Sequence, residues 1–252
     1  MSERMAHGGK TVYGARVGIL ILDSQHPRVP GDPVNAATWP FPVLYKMVRA
    51  ATPSRVVFER AAGLLQPFLD AADELIADGA DGITTTCGFL ALFQKELAAH
   101  CGVPVAASSL MQVPLVQRLL PPGKRVGVVT VWARELSPEH LEAAGAPADT
   151  PVAGTDHGRE FNRTMYGQIP EVDVAACEED VLAAGCDLVA RHPEVGAVVV
   201  ECTRMVPYAR AMSEDLGLPV FDIYNFVPWF QAGLQPRDFG HPGSAPRVFR
   251  ER

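Results

Sequence analysis

Gly82-Ile83-Thr84-Thr85-Thr86-Cys87-Gly88 and Ala197-Val198-Val199-Val200-Glu201-Cys202-Thr203 are two versions of one pattern, a short strand-like run that ends on a cysteine. The units that follow close alike, on Gly102-Val103-Pro104-Val105 and on Gly217-Leu218-Pro219-Val220. The interval from cysteine to proline is the same in both. Upstream, Arg16-Val17-Gly18-Ile19-Leu20 returns as Arg125-Val126-Gly127-Val128-Val129. A chain that repeats one strand–cysteine–helix unit reads as two related halves, with two equivalent thiols facing each other across a cleft.

Around these units, β-branched runs alternate with amphipathic stretches, the signature of an α/β fold with parallel sheets covered by helices. Strands are expected at 17–22, 55–58, 82–86, 103–107, 126–131, 195–201 and 220–223, and helices at 67–78, 89–101 and 205–216. Pro67 suits a first helical turn, and Gly79, Gly102 and Gly217 suit helix ends. Both cysteines then fall at the carboxyl end of a strand, just before a helix, where open α/β sheets bind ligands. The expected partition is a flexible N-terminus over 1–15, a first lobe over 16–120 to which 224–236 returns, a second lobe over 124–223, and a flexible tail over 237–252. Pro121-Pro122-Gly123 marks the crossing. Five prolines punctuate 23–42, so a functional loop over the cleft is expected there.

Composition excludes several function classes. A length of 252 residues, 48% apolar and 20% charged, is ordinary for a globular protein with a sizeable core. The net charge of -7 and the lack of a Lys/Arg cluster argue against a nucleic-acid partner. The first residues lack the apolar core of a signal peptide, and no apolar run approaches the roughly 20 residues that a membrane helix needs. Five irregularly spaced cysteines in such a chain indicate reduced thiols, hence a cytoplasmic protein.

A thiol acts as a base only when ionised, and a free cysteine titrates near ~8.5. Placement at a helix N-terminus favours the thiolate. The N–H groups of Gly88 and Phe89, and of Thr203 and Arg204, are candidates to hold a carboxylate or a developing enolate. A single buried cysteine is more often a small hydrophobe, and Cys101, Cys177 and Cys186 are read that way. Cys87 and Cys202 differ because they occupy equivalent slots. Neither has a Cys-x-x-Cys or Cys-x-x-His partner, so no metal is expected.

Thr84-Thr85-Thr86-Cys87-Gly88 and Glu201-Cys202-Thr203, with the repeats around them, resemble the aspartate/glutamate racemase superfamily, from about Arg16 to Trp229. That group includes amino-acid and hydantoin racemases, arylmalonate decarboxylase and maleate isomerase. The resemblance implies two pseudo-twofold α/β lobes with the site between them, no cofactor, and a homo-oligomer. It makes Cys87 and Cys202 the opposed acid and base, and Thr203 a carboxylate-binding residue. Asp23 and Ser24 match an Asp-Ser pair after the first strand, and Thr130 resembles a substrate-contacting hydroxyl. For Asp23 a turn role, and for Thr130 simple β-propensity, are the competing readings.

Three positions depart from the pattern. Gly88-Phe89 stands where amino-acid racemases usually have Asn-Thr, Arg204 where they often have histidine, and Glu201 where a small residue is common. Arg204 either grips a substrate carboxylate or forms a surface ion pair with Glu201 or Glu214. The expected function is a racemase or epimerase acting beside a carbonyl of a small acid, amino-acid derivative or hydantoin. Cis–trans isomerisation, decarboxylation and non-catalytic sensing of a small acid are the rivals.

Overall fold

The computed structural model describes residues 8–167, 169–237 and 239. It contains two four-stranded parallel sheets. The first is built from β1 (Val17–Leu22), β2 (Val43–Val48), β3 (Gly82–Thr85) and β4 (Val105–Ala106), in the order β2-β1-β3-β4. The second is built from β5 (Arg125–Thr130), β6 (Val152–Gly154), β7 (Val195–Val200) and β8 (Val220–Phe221), in the order β6-β5-β7-β8. The two orders superpose strand for strand, so the repeat in the sequence is a repeat in topology.

Helices α1 (Pro53–Phe58), α2 (Leu65–Asp78), α3 (Gln94–Cys101) and α4 (Val113–Gln117) lie in the first half. The second holds α5 (Pro138–Ala143), α6 (Phe161–Gly167), α7 (Val174–Arg191) and α8 (Ala209–Leu216), and α9 (Ile223–Leu234) follows β8. β1 is buried along its whole length, as a strand covered on both faces must be. Leu20 and Leu22 join Phe68, Ala72 and Leu75 of α2 in a core that continues into the second lobe through Val128, Val181 and Leu188. Val17, Ile19 and Ile21 face the other way and pack with Ile223, Phe226 and Val227 of α9 and with Trp39.

One expected strand is replaced. Residues 55–58 lie in α1, where Thr52 caps the helix by accepting from the Arg55 N–H (3.3 Å) and Pro53 presets its first turn. The missing edge strand is β2, paired with β1 from Val17↔Val43 to Leu22↔Val48. The helices expected after each cysteine begin as 3-10 turns, Gly88–Phe93 and Thr203–Tyr208, before α3 and α8 take over. Of the segments expected to be flexible, 1–7, 238 and 240–252 lie outside the described residues. Within 8–15, the Val12 N–H donates to the Asp78 carbonyl (2.8 Å), and Lys10 pairs with Asp81. Among the described residues no helix is long and apolar enough to cross a membrane.

Candidate active site

Cys87 and Cys202 cap the two equivalent 3-10 turns, both with extended backbones (φ -152°, ψ 119° and φ -74°, ψ 116°). An extended residue before a turn leaves its side chain at the strand's carboxyl edge, and both thiols line one cavity of ≈ 30 Å³. That is room for about two water molecules. The walls include Leu22, Val57, Thr86, Phe89, Val131, Tyr166, Glu201, Thr203 and Arg204. The lobes are joined beside it. The Thr203 hydroxyl donates to the Thr86 carbonyl (2.8 Å), and the Ser109 hydroxyl donates to the carbonyls of Val200 (2.7 Å) and Glu201 (3.2 Å).

Glu201 takes the place expected for a substrate anion. Its carboxylate accepts from the Thr130 hydroxyl (2.6 Å) and from the backbone N–H groups of Gly88 and Phe89. A side chain at residue 88 would meet the Glu201 Cγ at 2.7 Å and its carbonyl oxygen at 2.8 Å, so glycine there is a packing requirement. Burial pushes the Glu201 carboxyl up to about 7, against the pull of these donors. The expected cradle of the first lobe is thus filled by the protein itself. Phe89 contributes a wall of the cavity and packs edge-on against His140 (centroids 5.1 Å apart).

Arg204 lies in the cavity rather than on the surface. It is 7% exposed, and Glu214 pairs instead with Arg210. One guanidinium nitrogen, Nη2, donates to the Ser24 hydroxyl (2.8 Å), whereas Nη1 is buried without a hydrogen-bond partner. Burial, then the charge of Arg28, lowers its pKa to about 10, which leaves it cationic at neutral pH. His26, two residues beyond Ser24, is outside the cavity wall but close enough to Arg204 to feel its charge. Burial, then the charge of Arg204, lowers His26 to about 4, so it is neutral, and its Nδ1 is buried and unpartnered. No sequence signal marks a single histidine in a proline-rich loop as a neighbour of Arg204.

The other expected residues separate into two groups. Ser24 and Thr203 reach the site through the hydrogen bonds above, and Thr130 reaches it through Glu201. Asp23 is half-buried and outside the cavity wall; its Oδ2 accepts from the Ala50 N–H (3.4 Å), which is a turn role. Cys101 and Cys177 are buried on α3 and α7, and Cys186 is exposed with its thiol donating to Asp215 (3.1 Å). Among the described residues no group of three or more His, Cys, Asp or Glu side chains is gathered as a metal-ligand set.

The thiols are not held as thiolates, in contrast to the expectation from helix N-termini. Burial and then the Glu201 charge push Cys202 up to about 12, opposed by the Arg204 N–H and guanidinium. Burial, then Glu201 and Cys202, push Cys87 well above its ordinary value. The short 3-10 turns offer too little partial charge to offset desolvation. The arrangement is therefore two neutral thiols beside one unpaired cation, both raised by burial and by Glu201 and both drawn down by Arg204.

Solved structures share this architecture. Unliganded arylmalonate decarboxylase covers 91% of this chain and 97% of its own, with 14% identity and a TM-score of 0.53. Allantoin racemase from Klebsiella pneumoniae covers 86% and 88%, with 18% identity and a TM-score of 0.59. A glutamate racemase from Bacillus anthracis covers 87% and 82%, with 12% identity and a TM-score of 0.55. The chain has the aspartate/glutamate racemase superfamily fold. No protein-family model matches the sequence.

Relatives with this sequence similarity carry a different activity from the racemases. A dimethylsulfoniopropionate lyase from Durusdinium sp. clade D is 26% identical over 233 residues, which are 87% of this chain and 75% of that protein. Dimethylsulfoniopropionate lyases 5 and 3 from Emiliania huxleyi are 28% identical over 227 residues and 29% over 222. The matches cover 84% and 82% of this chain, but only 44% and 56% of those two proteins. The racemase-superfamily fold is thus joined to sequence similarity with lyases.

Proposed function

We propose that the protein is a cofactor-independent lyase that removes a proton beside the carboxylate of a small acid and expels a group from the next carbon. The observation that carries this is Arg204, a buried cation with one free nitrogen in the cavity that both cysteines line. A carboxylate on Arg204 gains charge-assisted hydrogen bonds and relieves the unpaired Nη1. Its α-carbon then lies among the thiols.

Cys202, ionised, takes the α-proton. The C–H electron pair becomes the new C=C bond, and the bond from the β-carbon to its leaving group breaks with its electrons going to that group. For dimethylsulfoniopropionate the products are acrylate and neutral dimethyl sulfide, with the proton on Cys202. The sulfide needs no acid to leave, so Cys87 stays protonated. Named activity in the relatives that cover most of this chain supports elimination over racemisation.

Racemisation or epimerisation is the second reading, favoured by the equivalent placement of the two cysteines. Cys87 would then return a proton to the opposite face. Glu201 weighs against free amino acids, because it fills the N–H cradle of Gly88 and Phe89. The test is incubation in D₂O with dimethylsulfoniopropionate, amino acids, hydantoins, an arylmalonate and maleate, followed by proton NMR. Acrylate formation that is lost in Cys202→Ser supports the lyase. Deuterium entry with stereoinversion and no cleavage would replace it with a racemase, and fumarate or carbon dioxide with an isomerase or decarboxylase. Binding without any turnover would leave a sensor.

A further inference from the structure

Three aromatic rings from three separate segments meet beside the thiols. Phe58 ends α1, Trp132 follows β5, and Tyr166 lies in α6. Trp132 stands edge-on to both others, with centroids 5.8 Å from Phe58 at 89° and 5.8 Å from Tyr166 at 86°. Phe58 and Tyr166 lie 4.7 Å apart, tilted by 46°. Rings set at right angles form the walls of a corner rather than a stack. Phe58 is 43% exposed and Trp132 half-buried, so the corner opens outward. Tyr166 lines the cavity with Cys87, Cys202 and Arg204, as do Val57 and Val131, the neighbours of Phe58 and Trp132. The corner is therefore continuous with the reacting site.

Two orphaned oxygens lie in the same region. The Tyr166 hydroxyl is buried with no hydrogen-bond partner. Asp156 accepts from the Ala133 N–H through Oδ2 (3.0 Å), while its Oδ1 is buried and unpartnered. Asp156 is close enough to act electrostatically on Tyr166. Aromatic faces are electron-rich and attract cations, and methylated onium groups are the ligands that suit them best, because they demand no hydrogen bonds. A carboxylate behind the rings adds attraction of the same sign.

We propose that Phe58, Trp132 and Tyr166, with Asp156 beside them, form a binding corner for a methylated onium group, either sulfonium or quaternary ammonium. The substrate is then a short zwitterion, its carboxylate on Arg204 and its cation against the rings. This rests on the carbon-acid reading for the fate of the bound molecule, but not for its binding. The two ends of the site are then opposite in character, a cation at Arg204 and aromatic faces backed by a carboxylate at the corner.

The test compares two carboxylates of the same shape by isothermal titration of the full chain, 3-(trimethylammonio)propionate and its uncharged isostere 4,4-dimethylpentanoate. The onium compound is expected to bind roughly tenfold more tightly or better. Trp132→Leu and the more exposed Phe58→Leu each reduce that ratio by about threefold or more, while the isostere's Kd changes by less than about twofold. Asp156→Asn lowers the ratio in the same way. Equal affinities in the unmodified protein, or a ratio untouched by all three substitutions, would overturn the proposal. Cleavage of dimethylsulfoniopropionate is scored separately. An onium preference without cleavage keeps the corner and sinks the lyase, whereas cleavage without preference does the reverse.

Discussion

Glu201→Gln isolates the group that most controls the thiols. In the folded protein its carboxyl is raised from 4.5 to about 7. A raised carboxyl means that the folded state holds the proton more tightly than the unfolded chain does. Its favourable contribution is complete below pH 4.5 and is lost as pH climbs through 7. Between pH 5 and pH 8 this loss is about 2 kcal/mol in the unmodified protein and absent in the variant. Gln fits without new voids, since its oxygen can accept from the Gly88 and Phe89 N–H groups and its amide can donate to the Thr130 hydroxyl. Urea unfolding at both pH values gives the difference in stability between variant and unmodified protein, and any fixed packing cost cancels between them. The variant should gain about 2 kcal/mol on the unmodified protein from pH 5 to pH 8. Removing the charge should also lower both thiols, so iodoacetamide labelling of Cys202 begins at a lower pH. A pH-independent stability difference together with unchanged labelling would refute the claim that a buried ionised Glu201 opposes the thiolates.

Other outcomes follow from the same geometry. Cys202→Ser should cut kcat/KM by about 10²–10⁴-fold, measured on whichever substrate the NMR screen reveals. Because Cys202 is pushed up to about 12, kcat/KM in the unmodified protein should rise close to tenfold per pH unit between pH 7 and 9, and a flat profile there would contradict thiol ionisation as the limiting step. Arg204→Met should lower kcat/KM for carboxylates by at least about 30-fold, with Tm unchanged or higher, because an unpaired buried cation is removed. Gly88→Ala should destabilise by about 1–3 kcal/mol in urea titrations, since the added carbon meets the Glu201 backbone oxygen at 2.8 Å.

The repeat around Cys87 and Cys202 was legible because parallel strands buried on both faces must be near-continuous runs of apolar and β-branched residues, and both copies carry them. The edge strand β2 was not, because Val43–Val48 is only half-buried over most of its length and shows no clean alternation. Val56, Val57 and Phe58 looked strand-like, yet Thr52-Pro53 starts a helix there, and local capping prevailed over propensity. In the site, the thiols could be placed by equivalence alone. The burial of Arg204 and the occupation of the Gly88–Phe89 cradle by Glu201 depend on contacts between residues more than a hundred positions apart. A lone arginine or glutamate carries no pattern that reveals such a neighbour. The aromatic corner escaped notice for the same reason, since Phe58, Trp132 and Tyr166 come from three segments with no common period.

The bonds from Thr203 to the Thr86 carbonyl, and from Ser109 to the Val200 and Glu201 carbonyls, rivet the two lobes together next to the two thiols. A two-lobed protein that bites its ligand like a jaw must part at that line, and here the line is stitched and backed by a core common to both lobes. The span from one sulfur to the other is consequently set by the joined frame of the two lobes and not by a hinge between them. The side of the cavity that opens to solvent is the flank formed by α1, α6 and the residues after β5, where Phe58 is exposed and Trp132 half-buried. On the proposed reading, passage of a ligand depends on side chains at that flank, and the placement of the thiols around it on the backbone that joins the lobes.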